Sequence, residues 1–167
     1  MPVPNQVLSL HFSLYEMLDS ETATRFGFDE QFEPPMAVIE NLRQLCVFVL
    51  EPLRMTLGVP IRINSGYRCE RLNKEIKGSK TSQHMVGQAA DIRLLHANMA
   101  ESLKDSTDKL FFRIRATQLP YDQVIQEFDR WVHVSWSPSP RHEALLARRL
   151  GNGQVKYTPA GMMPVVI

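Results

Sequence analysis

Tyr121-Asp-Gln-Val-Ile-Gln-Glu-Phe-Asp-Arg-Trp-Val-His-Val-Ser-Trp136 reads as two strands, Tyr121 to Phe128 and Trp131 to Trp136, reversing tightly at Asp129-Arg130. In the second strand Val132 and Val134 face one side and His133 the other, the period of two of a half-buried sheet. Two further strands are expected upstream. Gln88 to Leu94 is one, and Ile61 to Asn64, followed by the turn Ser65-Gly66, is a shorter one.

Helices surround this hairpin. Val38, Leu42, Leu45, Val49, Leu53 and Leu57 recur at helical spacing from Met36 onward, with Pro34-Pro35 suited to the entry and Gly58 to the exit. Pro52 lies inside this run and is expected to kink it or loosen one turn. A second long helix is expected from about Asn98 to Thr117, and shorter ones in Leu10–Gly27 and Glu70–Ile76. Helices grouped with a small, mostly antiparallel sheet make an α+β domain. Residues 1–137 are read as that domain. Residues 138–167 are read as a Pro/Gly-containing tail with little periodicity, packed on the domain or extending from it.

The chain has 167 residues, enough to bury a core without disulfides. It is 44% apolar and 22% charged, with acids and bases interleaved to a net charge of +1. That balance argues against nucleic-acid and membrane-surface partners. Residues 1–10 lack the basic and apolar regions of a secretory signal, so synthesis as a cytoplasmic chain is expected, with access to a cell wall depending on release or delivery. The two cysteines, Cys46 and Cys69, form no CxxC pair and are read as structural.

Chemistry concentrates in Ser82-Gln-His-Met-Val-Gly-Gln-Ala-Ala-Asp91 and in His133. Zinc takes imidazole nitrogens and carboxylate oxygens, and a catalytic site keeps one position open. Gly87 lets the chain turn closely, so a loop and the strand after it can aim His84 and Asp91 at one point. His133, on the polar face of a neighbouring strand, could complete a two-histidine, one-carboxylate set. Spacing alone leaves a structural role open, because a single strand histidine is more often a surface or core residue.

The pattern Ser82-x-His84-x-x-Gly87-x-Ala89-x-Asp91, followed by Trp131-Val-His-Val134, resembles the zinc D-alanyl-D-alanine carboxypeptidase family. That family includes phage L-alanyl-D-glutamate endopeptidases, and the hedgehog signalling domain is a structural relative. Asn64-Ser-Gly-Tyr-Arg-Cys69 with Leu72-Asn73 is similar to another block of the family. Phe12-Ser-Leu-Tyr-Glu16 and Leu50-Glu-Pro-Leu-Arg54 resemble blocks of a compact branch common in phages and prophages. The likeness runs from about Leu10 to Trp136. It implies one zinc ion per chain on His84, Asp91 and His133, with peptidoglycan stem peptides as substrate.

The resemblance also implies roles for Arg68 and a general base. Arg68 matches a substrate-facing arginine that would meet the oxyanion or hold a substrate carboxylate. Ser82 and Gln83 match flanking positions and are given no catalytic role. Relatives often place a carboxylate three residues before the second histidine, where this chain has Arg130. Glu127, six residues before His133 as in the hedgehog-like relatives, is therefore taken as the base. Asp129 is the alternative, with its carboxylate expected to point to solvent from the turn. The departure at Arg130 keeps a second reading open, a zinc-stabilised cell-wall-binding or structural module with weak turnover.

Other signals carry nothing comparable. His142-Glu143 begins like HExxH, but Leu146 stands where the second histidine belongs. His11, His96 and His142 have no partner pattern and are read as structural or exposed. Tyr67, Trp131 and Trp136 are candidates for a cleft lining or for core packing.

Overall fold

A computed structural model describes residues 6–95 and 101–161. Six strands form one sheet: β1 (Ile61–Ser65), β2 (Ala89–Leu94), β3 (Tyr121–Glu127), β4 (Trp131–Trp136), β5 (Glu143–Arg149) and β6 (Val155–Pro159). Their spatial order is β1-β2-β4-β3-β5-β6. Neighbours run antiparallel except β3 and β5, which are parallel. The α+β class and mostly antiparallel sheet are as expected.

The sheet is larger than expected, because β5 and β6 lie in the stretch read as an unpatterned tail. Glu143-Ala-Leu-Leu-Ala-Arg-Arg149 is built from good helix formers, so its local preference points away from a strand. Pairing decides otherwise. Gln123 through Glu127 match Glu143 through Ala147 residue for residue, and Ala147 is fully buried.

One sheet face is apolar. Ala90, Ile92, Val124, Val132 and Val134 are fully buried there, and a one-residue slip would turn all of them outward. Helix α6 (Leu103–Ala116) lays Leu110, Phe111 and Ile114 into the same core. Each such side chain contributes about 1.5–3 kcal/mol on burial. Ser102 caps α6 by accepting the Asp105 N–H at 3.1 Å, so the described helix begins later than the expected Asn98. Asn98 and His96 lie outside the described residues.

The long helix expected from Met36 is three segments: α3 (Met36–Leu45), a wide π turn (Cys46–Leu50) and α4 (Glu51–Leu57). Pro52 has no N–H, and in a regular helix its ring presses on the carbonyl four residues back. The widened turn relieves both problems just before Pro52, with the Glu51 N–H reaching Cys46 O. Phe48 of this turn stacks on Trp136, ring centroids 6.0 Å apart, which places Trp136 in packing.

Before α3 come α1 (Leu14–Leu18) and α2 (Glu21–Phe26). Ser13 and Glu16 form a reciprocal capping box on α1, which accounts locally for the Phe12–Glu16 block. Both cysteines are free and buried. Burial pushes the Cys46 thiol up to about 12. Cys69 caps α5 (Glu70–Glu75), its Sγ accepting the Leu72 N–H at 3.4 Å. Among the described residues no helix is long and apolar enough to cross a membrane.

Candidate metal centre

Strand register places the chemistry on the other sheet face. Ser65 pairs with Asp91, Asp91 with His133, and His133 with Ile125, so these four form one row across β1, β2, β4 and β3. His84 joins from a 3-10 turn, Gln83–Val86, which Gly87 ends at a φ of 73°. A side chain at Gly87 would be strained there and would also press on Val38 O at 2.6 Å. Gly66 is equally constrained, since a Cβ would stand 2.6 Å from Met17 O. Its carbonyl accepts His84 Nδ1–H at 2.6 Å.

That bond leaves the His84 Nε2 lone pair facing the row. Nε2 lies 3.2 Å from His133 Nδ1, and each nitrogen lies 3.3 Å from Asp91 Oδ1. Three donors at about 2.0–2.1 Å from a tetrahedral zinc stand about 3.3–3.4 Å apart. The residues therefore fit the metal, and the buried triangle could hold one. The histidine held by a carbonyl is also the usual way a ligand ring is oriented.

Charge in the cluster is arranged for a cation. Burial and the charges of Arg68 and His133 hold His84 below the usual histidine range despite Asp91, favouring the neutral ring. Burial alone would raise Asp91. His84, His133 and Arg68 outweigh it and hold the carboxyl well below its ordinary range. Asp91 divides its oxygens, Oδ1 to the histidines and Oδ2 to Arg68 Nη2. Ser65 Oγ accepts Arg68 Nε–H at 2.9 Å, while Nη1 makes no hydrogen bond among the described residues.

One buried brace escaped the sequence reading. Gln31 donates from Nε2 to Leu18 O at 2.9 Å and Tyr67 O at 2.8 Å, and accepts the Cys69 N–H at 2.9 Å. It thereby grips the chain on both sides of Arg68. A glutamine in a polar loop gives no periodic signal, so only the fold discloses it. Gln31→Leu would strand three buried backbone groups, each costing about 1–3 kcal/mol unpaired. A clear fall in the urea midpoint is expected; an unchanged midpoint would refute the bracing role.

Glu127 belongs to the next row of the same face, where Trp131, Glu127, Ala147 and Tyr157 lie side by side on β4, β3, β5 and β6. Burial and the charge of Asp91 push its carboxyl up, against the pull of His133, Arg68 and Trp131. Trp131 Nε1–H donates to its Oε2 at 3.1 Å. Asp129 behaves differently from the expectation of a solvent-facing turn residue. It accepts Gln126 Nε2–H at 2.8 Å and pairs with Arg148 at 3.3 Å. Gln126 and Arg148 have the opposite strand parity to Glu127 and Ala147. The reversal itself centres on Phe128 and Asp129, with φ of 55° and 57°, rather than on Asp129-Arg130.

Arg68, His84, Asp91, Glu127, Trp131 and His133 all line one cleft of about 630 Å³, the size of a small-ligand or peptide site. Gln83 also lines it and donates to Asp122 Oδ2 at 2.9 Å. Tyr67 is buried in the core. His11 and His142 stand apart: His11 bonds Glu51 at 2.8 Å, and His142 packs edge-on to Tyr121.

A family model described as peptidase M15 matches residues 10–135. Comparison with curated proteins gave no match. The matched span contains all three potential ligands together with Arg68 and Glu127, and it covers most of the chain. The protein belongs to the peptidase M15 family.

Proposed function

We propose that the protein is a zinc peptidase that hydrolyses a peptide bond in peptidoglycan stem peptides. The observation carrying this reading is the His84–Asp91–His133 triangle, with tetrahedral donor spacing, in the same cleft as the half-buried Glu127 carboxylate. His84 Nε2, His133 Nδ1 and Asp91 Oδ1 would hold the ion. When bound, zinc supplies Lewis-acid chemistry, polarising a carbonyl and making water acidic enough to ionise near neutral pH.

The chain's own residues do the rest. Trp131 occupies Glu127 Oε2, leaving Oε1 to accept the proton of the attacking water and deliver it to the leaving amine. A carboxyl held above its ordinary range is better matched to that exchange near neutral pH. Arg68 neutralises Asp91 and offers Nη1 to negative charge developing on the substrate. Asp129 is committed to Gln126 and Arg148, which favours Glu127 as the base. An intact Glu127 and Arg68 in the cleft likewise favour an enzyme over a binding module with weak turnover.

Stripping metal with a chelator and adding zinc back tests this on a soluble stem pentapeptide. Cleavage should vanish and return with zinc. Cleavage that persists after verified metal removal would overturn the zinc reading.

A further inference from the structure

The family match ends at residue 135, yet Arg141, Leu145, Arg149 and Tyr157 line the same cleft as the metal triangle. The β5–β6 hairpin is therefore a wall of the site. Its register explains how. Ala147 lies between Glu127 and Tyr157, so these two side chains stand on one face of neighbouring strands with a small residue between them. Arg149 and Val155 pair one step further along the same face.

The cations of this cleft are not equivalent. Arg68 is bound to Asp91, and Arg141 grips Asp122 through two nitrogens at 2.7 and 3.0 Å. Arg149 has no carboxylate partner among the described residues. Its guanidinium lies 4.8 Å from the centre of the Phe128 ring, and Phe128 packs edge-on against Trp131 at 5.6 Å. An arginine held on an aromatic face keeps its N–H groups available at its edge. Phe128 and Asp129 fill the two left-handed positions of the reversal, which the Arg130 N–H closes on Glu127 O at 2.9 Å, and this turn carries the Phe128 ring to Arg149. Tyr157 is half exposed beside it. Burial and the neighbouring charges of Glu127 and Asp91 keep its phenol protonated, a donor.

We propose that Arg149, supported on Phe128 and flanked by Tyr157, forms a carboxylate subsite that makes the cleft prefer peptides with an acidic group beside the cut bond. This deepens the peptidase reading and rests on it. A planar guanidinium with a phenol donor matches a carboxylate, which accepts paired hydrogen bonds. Stem peptides that keep a carboxylate away from the chain end supply that group.

The probes are two synthetic stem pentapeptides, identical except that the carboxylate away from the chain end is free in one and a carboxamide in the other. Calorimetry measures binding to zinc-loaded Glu127→Gln protein with and without Arg149→Gln. Kinetics of the zinc-loaded protein with Glu127 intact measures cleavage. The free acid should bind about tenfold more tightly than the amide, the value of one charge-assisted bond. Arg149→Gln should erase that ratio and raise KM, with kcat, zinc content and melting temperature held. Arg149→Lys should restore part of the ratio. Lys77, an exposed cation also lining the cleft, is the control. An equal loss of the ratio in Lys77→Gln would overturn the assignment to Arg149, as would an unchanged ratio in Arg149→Gln or equal binding of both probes from the start. An Arg149-dependent ratio without cleavage of either peptide would support the subsite and overturn the peptidase reading instead.

Discussion

His133→Ala should lower zinc affinity more than about a hundredfold and abolish turnover while leaving the fold intact. Loss of a residue that merely orients a ligand costs about 10–100-fold in affinity, and loss of a ligand removes a donor outright. His133 sits on the cleft face of β4, and the strand's core contacts come from Val132 and Val134. The substitution therefore removes a donor from the triangle without opening the core. Zinc binding to the native state alone is worth about 4 kcal/mol at a thousandfold excess over its Kd. In a domain of this size that is a melting shift of roughly 10 °C. The parent protein should show the shift on zinc addition and His133→Ala should not. Full zinc occupancy in the variant, with the shift preserved, would remove His133 from the ligand set.

Glu127→Gln should cut kcat by about 10²–10⁴ while zinc content stays at one per chain, because a general base contributes about that much. Asp129→Asn should cost less than about tenfold, since Asp129 serves Gln126 and Arg148 rather than the cleft. The pH profile separates the two further. Only the ionised carboxylate can accept a proton, so activity rises with pH as Glu127 deprotonates. Burial and Asp91 place that rise above the usual glutamate range. Asp129→Asn should keep this acid limb. A dead Asp129→Asn enzyme beside an active Glu127→Gln would reverse the assignment.

Much of this site is legible in the sequence because its supports are local. The Val132–His133–Val134 alternation gives the strand and the facing of its histidine together. Gly87 marks the turn that delivers His84, and the Ser13–Glu16 cap explains a block that carries no chemistry. What the sequence conceals is non-local. Gln31 acts through backbone groups of two distant segments, and no pattern within its own loop announces that. β5 has a helix former's composition and becomes a strand only against β3. Asp129 shares the parity of Glu127 and His133, but two left-handed residues turn its side chain to Gln126 and Arg148. Parity arguments fail at a reversal for that reason.

Hydrolysis of stem peptides in this cleft, with zinc on His84, Asp91 and His133, leaves a chemical signature in the cell wall itself. Digesting purified peptidoglycan with zinc-loaded protein and weighing the released fragments tests it most directly. The fragments should each gain one water at a peptide bond of the stem, with glycan strands intact, and the His133→Ala protein should release none. Cuts confined to the glycan, or no release by fully zinc-loaded protein, would contradict it.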